Sequence, residues 1–444
     1  MKGSLPPIHT KYWLETYGCQ MNTAESNALE TALQEVGMLP AANAEEADCA
    51  IINTCSVRKT AENRIWGRIG YFKHIKEQHP LTLVITGCMA ERLGDDFLKD
   101  APAVDLVVGT NDKQRIAALL SGGSDERDLH YTFTESYHKP GDVKSYVPIM
   151  NGCDNYCAYC IVPYVRGREV SRSPQSIFEE IDRLEQLGVK EITLLGQNVN
   201  SYRFDEHGSS IHYPDLLSSI AARVKSIKWI RFESPHPKDF SNDLIKVIAQ
   251  EPVVAKHLHI PMQSGSTRVL GLMNRRYNRE RYLSLISDLR TAVPHITFTT
   301  DVMVGFPGET EEDYNDTLSA MREVRFLESF MYYYNPREGT AAVDFINQIE
   351  ASVKMRRLQS LINLQRQITH EEKIKRSHAR VEVLIEQISR KQGTAYLSRT
   401  EHDEMVVFTP LSDLKIGDVV AVDITGLSGN TYTAVEAVDQ GFKS

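Results

Sequence analysis

The chain has 444 residues, of which 41% are hydrophobic, 25% charged and 8% aromatic, and its 50 Lys and Arg against 59 Asp and Glu leave a net charge of −9. At about 150 residues per domain, this length predicts about three domains of ordinary soluble composition. No apolar run reaches the ~18 residues of a membrane helix, the opening MKGSLPPIHTK lacks a signal-peptide core, and the acidic balance excludes a uniform basic coat.

The expected setting is therefore cytoplasmic and membrane-free, with the seven cysteines as reduced thiols. Cys19, Cys55 and Cys88 are widely spaced, Cys153, Cys157 and Cys160 are packed together, and Cys49 is left over. Three short apolar segments precede the spaced cysteines: Tyr12 to Thr16, Ala50 to Asn53 and Leu81 to Thr86. Their β-branched and aromatic content reads as buried strands. A helix start at Asn22-Thr23-Ala24-Glu25 leads into apolar positions Ala24, Ala28, Ala32, Leu33 and Val36, with Gly37 as the stop. Alternating strands and helices predict a parallel sheet. Its strand-end loops converge at one edge, where ligands sit, and each spaced cysteine lies just past a strand end. Cys49 precedes its strand and should point elsewhere, as a small buried hydrophobe. Three thiolates on one edge suit an iron–sulfur cluster with one iron left open; a three-cysteine zinc site or three unrelated core cysteines are the alternatives.

In the middle of the chain, Cys153, Cys157 and Cys160 form a C-x3-C-x2-C loop after the apolar strand Tyr146 to Met150. Ferredoxin loops supply a fourth cysteine. None lies near here, so three irons of a four-iron cluster could be held and the fourth left open, whereas a zinc knuckle would want a fourth Cys or His. Further strands are expected at Glu191 to Leu195, Trp229 to Phe232, His257 to Ile260, Thr297 to Val304 and Ser329 to Tyr334. With the first, they make six βα units, enough for a partial barrel. Functional groups belong at the strands' carboxyl ends, which carry Gly196-Gln197-Asn198, Glu233-Ser234-Pro235-His236, Gln263-Ser264-Gly265-Ser266 and Gly305-Phe306-Pro307-Gly308-Glu309. His257 and His259 share a strand face, and filling the barrel or hydrogen bonding is their expected role. Tyr332-Tyr333-Tyr334 is expected to pack.

From Val353 to Arg380 the pattern becomes helical, with eight basic residues against Glu371 and Glu372, as in a solvated linking helix. Five short strands follow, at Val381 to Ile385, Thr394 to Leu397, Met405 to Phe408, Val419 to Ile424 and Tyr432 to Val435, as in a small β-barrel. Basic stretches at Arg166 to Arg172 and Arg275 to Arg279 are candidate phosphate-binding patches. The expected fold class is thus α/β: an N-terminal parallel α/β sheet domain over residues 8–130, a central partial (βα)6 TIM-like barrel over 141–375, and a C-terminal small β-barrel over 376–444.

The C-x3-C-x2-C loop on a partial barrel resembles the radical S-adenosylmethionine superfamily. TYGCQMN (Thr16 to Asn22), NTCSVR (Asn53 to Arg58), GCMAER (Gly87 to Arg92), CAYCIVPYVRGREVSR (Cys157 to Arg172), LLGQNVNSY, SPHPKDF, QSGS and VGFPGET together resemble its methylthiotransferases over nearly the whole chain. The C-terminal segment resembles the TRAM domain with which these enzymes hold RNA. Asn151 and Ser398 depart from the pattern without touching a cysteine.

The resemblance implies two [4Fe-4S] clusters. One, on Cys153, Cys157 and Cys160, binds S-adenosyl-L-methionine and cleaves it to a 5′-deoxyadenosyl radical. The other, on Cys19, Cys55 and Cys88, gives the sulfur. Tyr159, Gln197, Ser234 and Gln263 are the expected cofactor-positioning residues, from their strand-end or loop location. No catalytic residue is expected beyond the cluster ligands. The implied substrate is N6-dimethylallyladenosine beside the anticodon of tRNA. A low-potential flavodoxin or ferredoxin would be the electron donor, and the chain would act as a monomer. Threonylcarbamoyl-adenosine in tRNA and a ribosomal-protein aspartate are the rival substrates within the family. A two-cluster electron carrier and an RNA-binding protein without catalysis are the rivals outside it. All six family cysteines are present, which disfavours the last.

Overall fold

Short β-branched and aromatic runs open the chain as a parallel sheet of five strands: Lys11–Thr16, Leu39–Pro40, Cys49–Thr54, Thr82–Gly87 and Leu106–Val108. Lys11–Thr16 lies between Leu39–Pro40 and Cys49–Thr54, and the last two strands follow in order. Every residue of Cys49–Thr54 and Thr82–Gly87 is buried. Their alternate side chains meet different helices. Cys49, Ile51 and Val84 pack with Leu29 and Leu33 of helix Gln20–Glu35, while Ala50, Ile52, Leu83 and Ile85 pack with Ile65, Ile69 and Phe72 of helix Lys59–Lys76. A parallel strand covered on both faces is apolar throughout, which is why these strands were visible as runs. Cys49 is the first residue of its strand rather than a residue before it, and it faces this core. The computed structural model describes residues 9–56, 59–94, 96–122, 133, 138–139, 141–206, 208–389 and 393–437. The domain limits expected at 8, 130 and 444, and Val57 and Arg58 of the NTCSVR motif, lie outside the described residues.

Six further parallel strands make the central barrel. Lys144–Pro148, Glu191–Leu195 and Trp229–Phe232 form one three-stranded sheet, and His257–His259, Thr297–Val304 and Glu328–Tyr333 form a second. The Ile230–Val254 bridge pairs Trp229–Phe232 with the segment that leads into His257–His259, so the strands follow one another in sequence order as two sheets of an open barrel. Amphipathic helices cover the outside, including Pro174–Gln186, Asn242–Gln250 and Glu311–Val324, and their apolar stripes merge with the strands in one large core.

Helix Ala351–Lys375 differs from the solvated linker expected. Lys354, Arg357 and Lys373 are buried. Arg357 pairs with Glu309 at 2.7 Å, and Lys373 Nζ donates to the Asn430 carbonyl at 2.8 Å. Gln365 and Thr369 bond the Phe326 and Leu327 carbonyls at 2.9 and 2.8 Å. The helix is a strut along the barrel, and half-hidden lysines and arginines gave it a solvated appearance in sequence.

The last five strands, Arg380–Ile388, Tyr396–Thr400, Met405–Thr409, Val419–Ser428 and Thr431–Glu436, close into a small barrel around Val383, Val406, Phe408, Val422 and Tyr432. It docks under the amino ends of the central strands. Leu384 and Val419 pack there against Val143, Trp229 and Ala255. The hairpin turn after Thr400 reaches further in. Arg231 Nη1 and Nη2 donate to the Glu401 and Thr400 carbonyls at 2.8 and 3.1 Å, and the Lys256 amide donates to Glu401 at 3.1 Å.

Candidate iron–sulfur and cofactor site

Sheet register gathers the spaced cysteines. Thr16 pairs with Asn53 and Asn53 with Thr86, so the three strands run out together. Cys55 follows the second strand directly, Cys88 opens helix Cys88–Leu93, and Cys19 is the residue before helix Gln20–Glu35. The turns are pressed close. Gly18 has φ +131 and a Cβ there would lie 2.7 Å from Cys55 Cβ; Gly87 has φ +93 and a Cβ there would lie 2.4 Å from the Thr54 carbonyl. Only glycine tolerates both the conformation and the approach.

The second trio lies on the loop after Lys144–Pro148. The Cys153 amide donates to the Gly167 carbonyl at 3.1 Å, and the Ala158 amide to that of Met273 at 3.0 Å. A cavity of about 240 Å³ opens at the carboxyl ends of the central strands. Cys153, Cys157 and Cys160 line it, and so does Cys19 of the first trio. Cys55 and Cys88 lie outside its wall, yet Cys88 packs on Ile161 and Val165, immediately beyond the Cys160 loop. The two trios therefore adjoin across the domain boundary.

Of the positions expected to orient a cofactor, Tyr159, Gln197 and Ser234 line this cavity and Gln263 does not. Gln263 has φ 65, and its backbone is spent on the neighbouring strand, its amide bonding the Asp301 carbonyl at 2.8 Å and its carbonyl the Met303 amide at 2.8 Å. Glu233, His236, Asn155 and Arg275 line the cavity as well, and none of them was among the residues expected to position the cofactor. Glu233 and His236 stood inside a quoted strand-end cluster, which was the available signal. Arg275 stood in a basic stretch read as a phosphate-binding patch, and nothing local aimed it at the cavity, because it arrives from a turn between helices.

Burial dominates the electrostatics. It pushes the Cys153 thiol to about 11 and, with the neighbouring Cys157, the Cys160 thiol to about 12. These thiols stay protonated until a cationic group takes the proton's place. Burial likewise drives His236 far below its usual value, with Arg275 and Lys238 adding to it. The neutral ring accepts the Lys238 amide at Nδ1, at 3.2 Å, which puts the proton on Nε2. That buried Nε2, Gln197 Oε1 and Asn198 Oδ1 have no hydrogen-bond partner among the described residues. Buried polar atoms are nearly always paired, so these are suited to a bound group.

The residues present fit an iron–sulfur cluster. A single zinc ion would draw its thiolates to about 2.3 Å from one point. Three cysteines instead rim a cavity of about 240 Å³, where about 10–15 Å³ of such space holds one water molecule, which is room for a group of many atoms.

His257 and His259 do point into the barrel and are satisfied there. A ladder of side chains runs from the hairpin turn upward: His402 to Thr297 at 3.2 Å, Thr297 to His257 at 2.8 Å, Thr299 to His259 at 3.1 Å, and His259 to Asp301 at 3.2 Å. The basic stretches fare differently. Arg166, Arg172 and Arg275 are 4%, 3% and 6% exposed, with Arg166 and Arg172 paired to Glu25 and Glu180, so neither stretch is a continuous phosphate-binding patch. Each buried guanidinium is needed by a carboxylate or sulfur that the local sequence does not show.

Residues 147–321 match the Radical SAM superfamily and residues 11–109 match a family described as Uncharacterized protein family UPF0004. The chain is 44% identical over 450 residues to the tRNA-2-methylthio-N(6)-dimethylallyladenosine synthase of Treponema pallidum (strain Nichols), covering 95% of this chain and 98% of that protein. It is 39% identical to the synthase of the same name from Phocaeicola vulgatus, over 98% of both. The chain belongs to the tRNA-2-methylthio-N(6)-dimethylallyladenosine synthase family. In fold it is similar to the radical S-adenosylmethionine methyltransferase TsrM of Kitasatospora setae, with a TM-score of 0.58, 13% identity, and coverage of 76% of this chain and 77% of that one. No described helix is long and apolar enough to cross a membrane.

Proposed function

We propose that this chain converts N6-dimethylallyladenosine in tRNA to its 2-methylthio derivative, using S-adenosylmethionine and two [4Fe-4S] clusters. One observation carries the reading: a single cavity brings Cys19 of the first trio against all of the second, with unpartnered polar atoms on or beside its wall. Cys153, Cys157 and Cys160 hold the cluster that engages S-adenosylmethionine, and Cys19, Cys55 and Cys88 hold the sulfur-donating one. When bound, these groups supply what no side chain can: an electron at low potential, a carbon radical able to take hydrogen from an aromatic C–H, and a sulfur atom.

The protein supplies placement. Tyr159, Gln197 and Ser234 line the space where S-adenosylmethionine and the adenine meet, and His236 Nε2–H is a neutral donor directed there. The small barrel serves as the TRAM-type RNA holder and the substrate is the anticodon loop, whose bases can be splayed out and gripped. The electron donor is a flavodoxin or ferredoxin, and the enzyme works as a cytoplasmic monomer with functional units at 8–130, 141–375 and 376–444.

Anaerobic reconstitution, iron and sulfide counting, and incubation with S-adenosylmethionine, a reductant and tRNA lacking the methylthio group provide the test. Nucleoside mass spectrometry should find 2-methylthio-N6-dimethylallyladenosine, and Cys157→Ala should abolish 5′-deoxyadenosine. Methylthio groups found only on threonylcarbamoyl-adenosine or on an aspartate would overturn the substrate. Zinc in place of iron would overturn the chemistry.

A further inference from the structure

Arg275 occupies the short turn between helices Thr267–Leu272 and Arg279–Ala292. Its neighbours Asn274 and Arg276 both have left-handed backbone, with φ 57 and 59. L residues hold that conformation at two of three successive positions only where the surroundings impose it. Here the surroundings are the cysteine loop itself. Asn274 Nδ2 donates to the Tyr156 carbonyl at 2.9 Å, and the Met273 carbonyl accepts the Ala158 amide.

The effect is to send one guanidinium inward, 6% exposed. Its Nε donates to the Tyr277 hydroxyl at 3.2 Å, its Nη2 to the Pro261 carbonyl at 3.5 Å, and its Nη1 to the Tyr159 hydroxyl at 3.5 Å and to Cys157 Sγ at 3.3 Å. Among the described residues, neither its hydrogen bonds nor any ion pair includes a carboxylate. Other buried arginines of this chain are matched to acids, Arg166 to Glu25, Arg172 to Glu180 and Arg357 to Glu309. A permanently charged group sunk in the protein without an anion is costly, and the negative charge has to come from something else.

We propose that Arg275 is the counter-ion of the cluster held by Cys153, Cys157 and Cys160, bonding the Cys157 sulfur and favouring the reduced, more negative state. This rests on the iron–sulfur reading above. It makes Arg275 a positioning and tuning residue, since it acts through Cys157. Hydrogen bonds to cluster sulfurs and nearby charge are the means by which a protein sets a cluster's potential. Tyr159 and Tyr277 keep the fork in place, so the cation cannot drift into the cavity, whose wall it shares.

The test uses the full-length, anaerobically reconstituted chain in an electrochemical titration followed by electron paramagnetic resonance, reading the signal that responds to added S-adenosylmethionine. Arg275→Met should disfavour one-electron reduction at least tenfold, a fall of about 59 mV. Arg275→Lys, which keeps the charge, should recover most of it with the iron count unchanged. Should Arg275→Met not load iron, Arg275→Gln keeps a donor without the charge, and the same fall is expected. A reduction equilibrium within twofold of wild type, a shift under about 18 mV, in an iron-loaded Met or Gln variant overturns the proposal. Wild-type protein without any such signal would instead overturn the iron–sulfur reading.

Discussion

Glu25 is the most exacting point at which to probe how the two cysteine trios are held together. It lies on helix Gln20–Glu35 of the N-terminal sheet, and its Oε1 accepts from Arg166 Nη1 of the central barrel at 2.6 Å. Lys113 Nζ and Arg166 Nη2 bond its other oxygen, the latter at 3.2 Å, and Asn22 and Asn151 each accept a further Arg166 proton at 3.1 and 2.9 Å. All five side chains are buried. Burial alone would raise the Glu25 pKa, but Arg166 and Lys113 outweigh it and hold the carboxyl at about 2. From an ordinary 4.5 down to about 2, at 1.36 kcal/mol per tenfold, the ionised group contributes about 3 kcal/mol. Because the folded value is depressed, that contribution is complete above pH 4.5 and is lost as pH falls from 4.5 toward 2. Glu25→Gln strands two buried cations, for which about 3–5 kcal/mol is expected, so the two routes agree. Urea unfolding of the cluster-free chain at pH 7 should show this loss. Hydrogen exchange should rise together in helices Gln20–Glu35 and Val162–Arg166, on opposite sides of the junction. A loss below about 1 kcal/mol, as for exposed ion pairs, would refute the reasoning. So would the same stability change as wild type between pH 4.5 and 2.

Cys55→Ala should retain part of the 5′-deoxyadenosine formation yet stop sulfur insertion; normal methylthiolated nucleoside would remove Cys55 from the donor trio. Gly87→Ala places a methyl 2.4 Å from the Thr54 carbonyl at φ +93, so about 1–3 kcal/mol of strain should displace Cys88 and lower bound iron toward one cluster's complement. Iron counting reads it directly. Arg231→Met removes both donors to the Thr400–Glu401 turn and should cost about 1–3 kcal/mol, with faster amide exchange confined to the small barrel and the lower ends of the central strands.

The three-part architecture was legible because each part announces itself locally. Buried parallel strands are continuous apolar runs, and the closed barrel is a series of short strands with turn residues between them. The first cysteine trio was legible for a related reason, since each of its thiols follows an apolar run and the strand register brings the ends of those runs together; the second was legible from its C-x3-C-x2-C spacing. What the sequence concealed was which charges pair. Arg166 is 141 positions from Glu25, and Arg275 reaches Cys157 from a turn that has no apolar pattern of its own. Both were read as surface cations, and so were Arg357 and Lys373 of the long helix. Gln263 lies off the cavity wall for another reason. The strand-end rule identifies the rim of a barrel, but this residue's backbone continues the ladder with Val302 rather than facing the cavity.

The small barrel is bolted beneath the central one, whereas the cysteines sit above it. Strand Thr297–Val304, with eight residues, sets the separation at about 25 Å from floor to rim. A ligand engaging both ends at once must reach along the outside of the molecule over that length. A lone nucleoside is too short for this, while a folded nucleic-acid hairpin is long enough. With the small barrel holding RNA as proposed, size selection would require no recognition element inside the pocket, because molecules unable to bridge the gap would forfeit half of their grip.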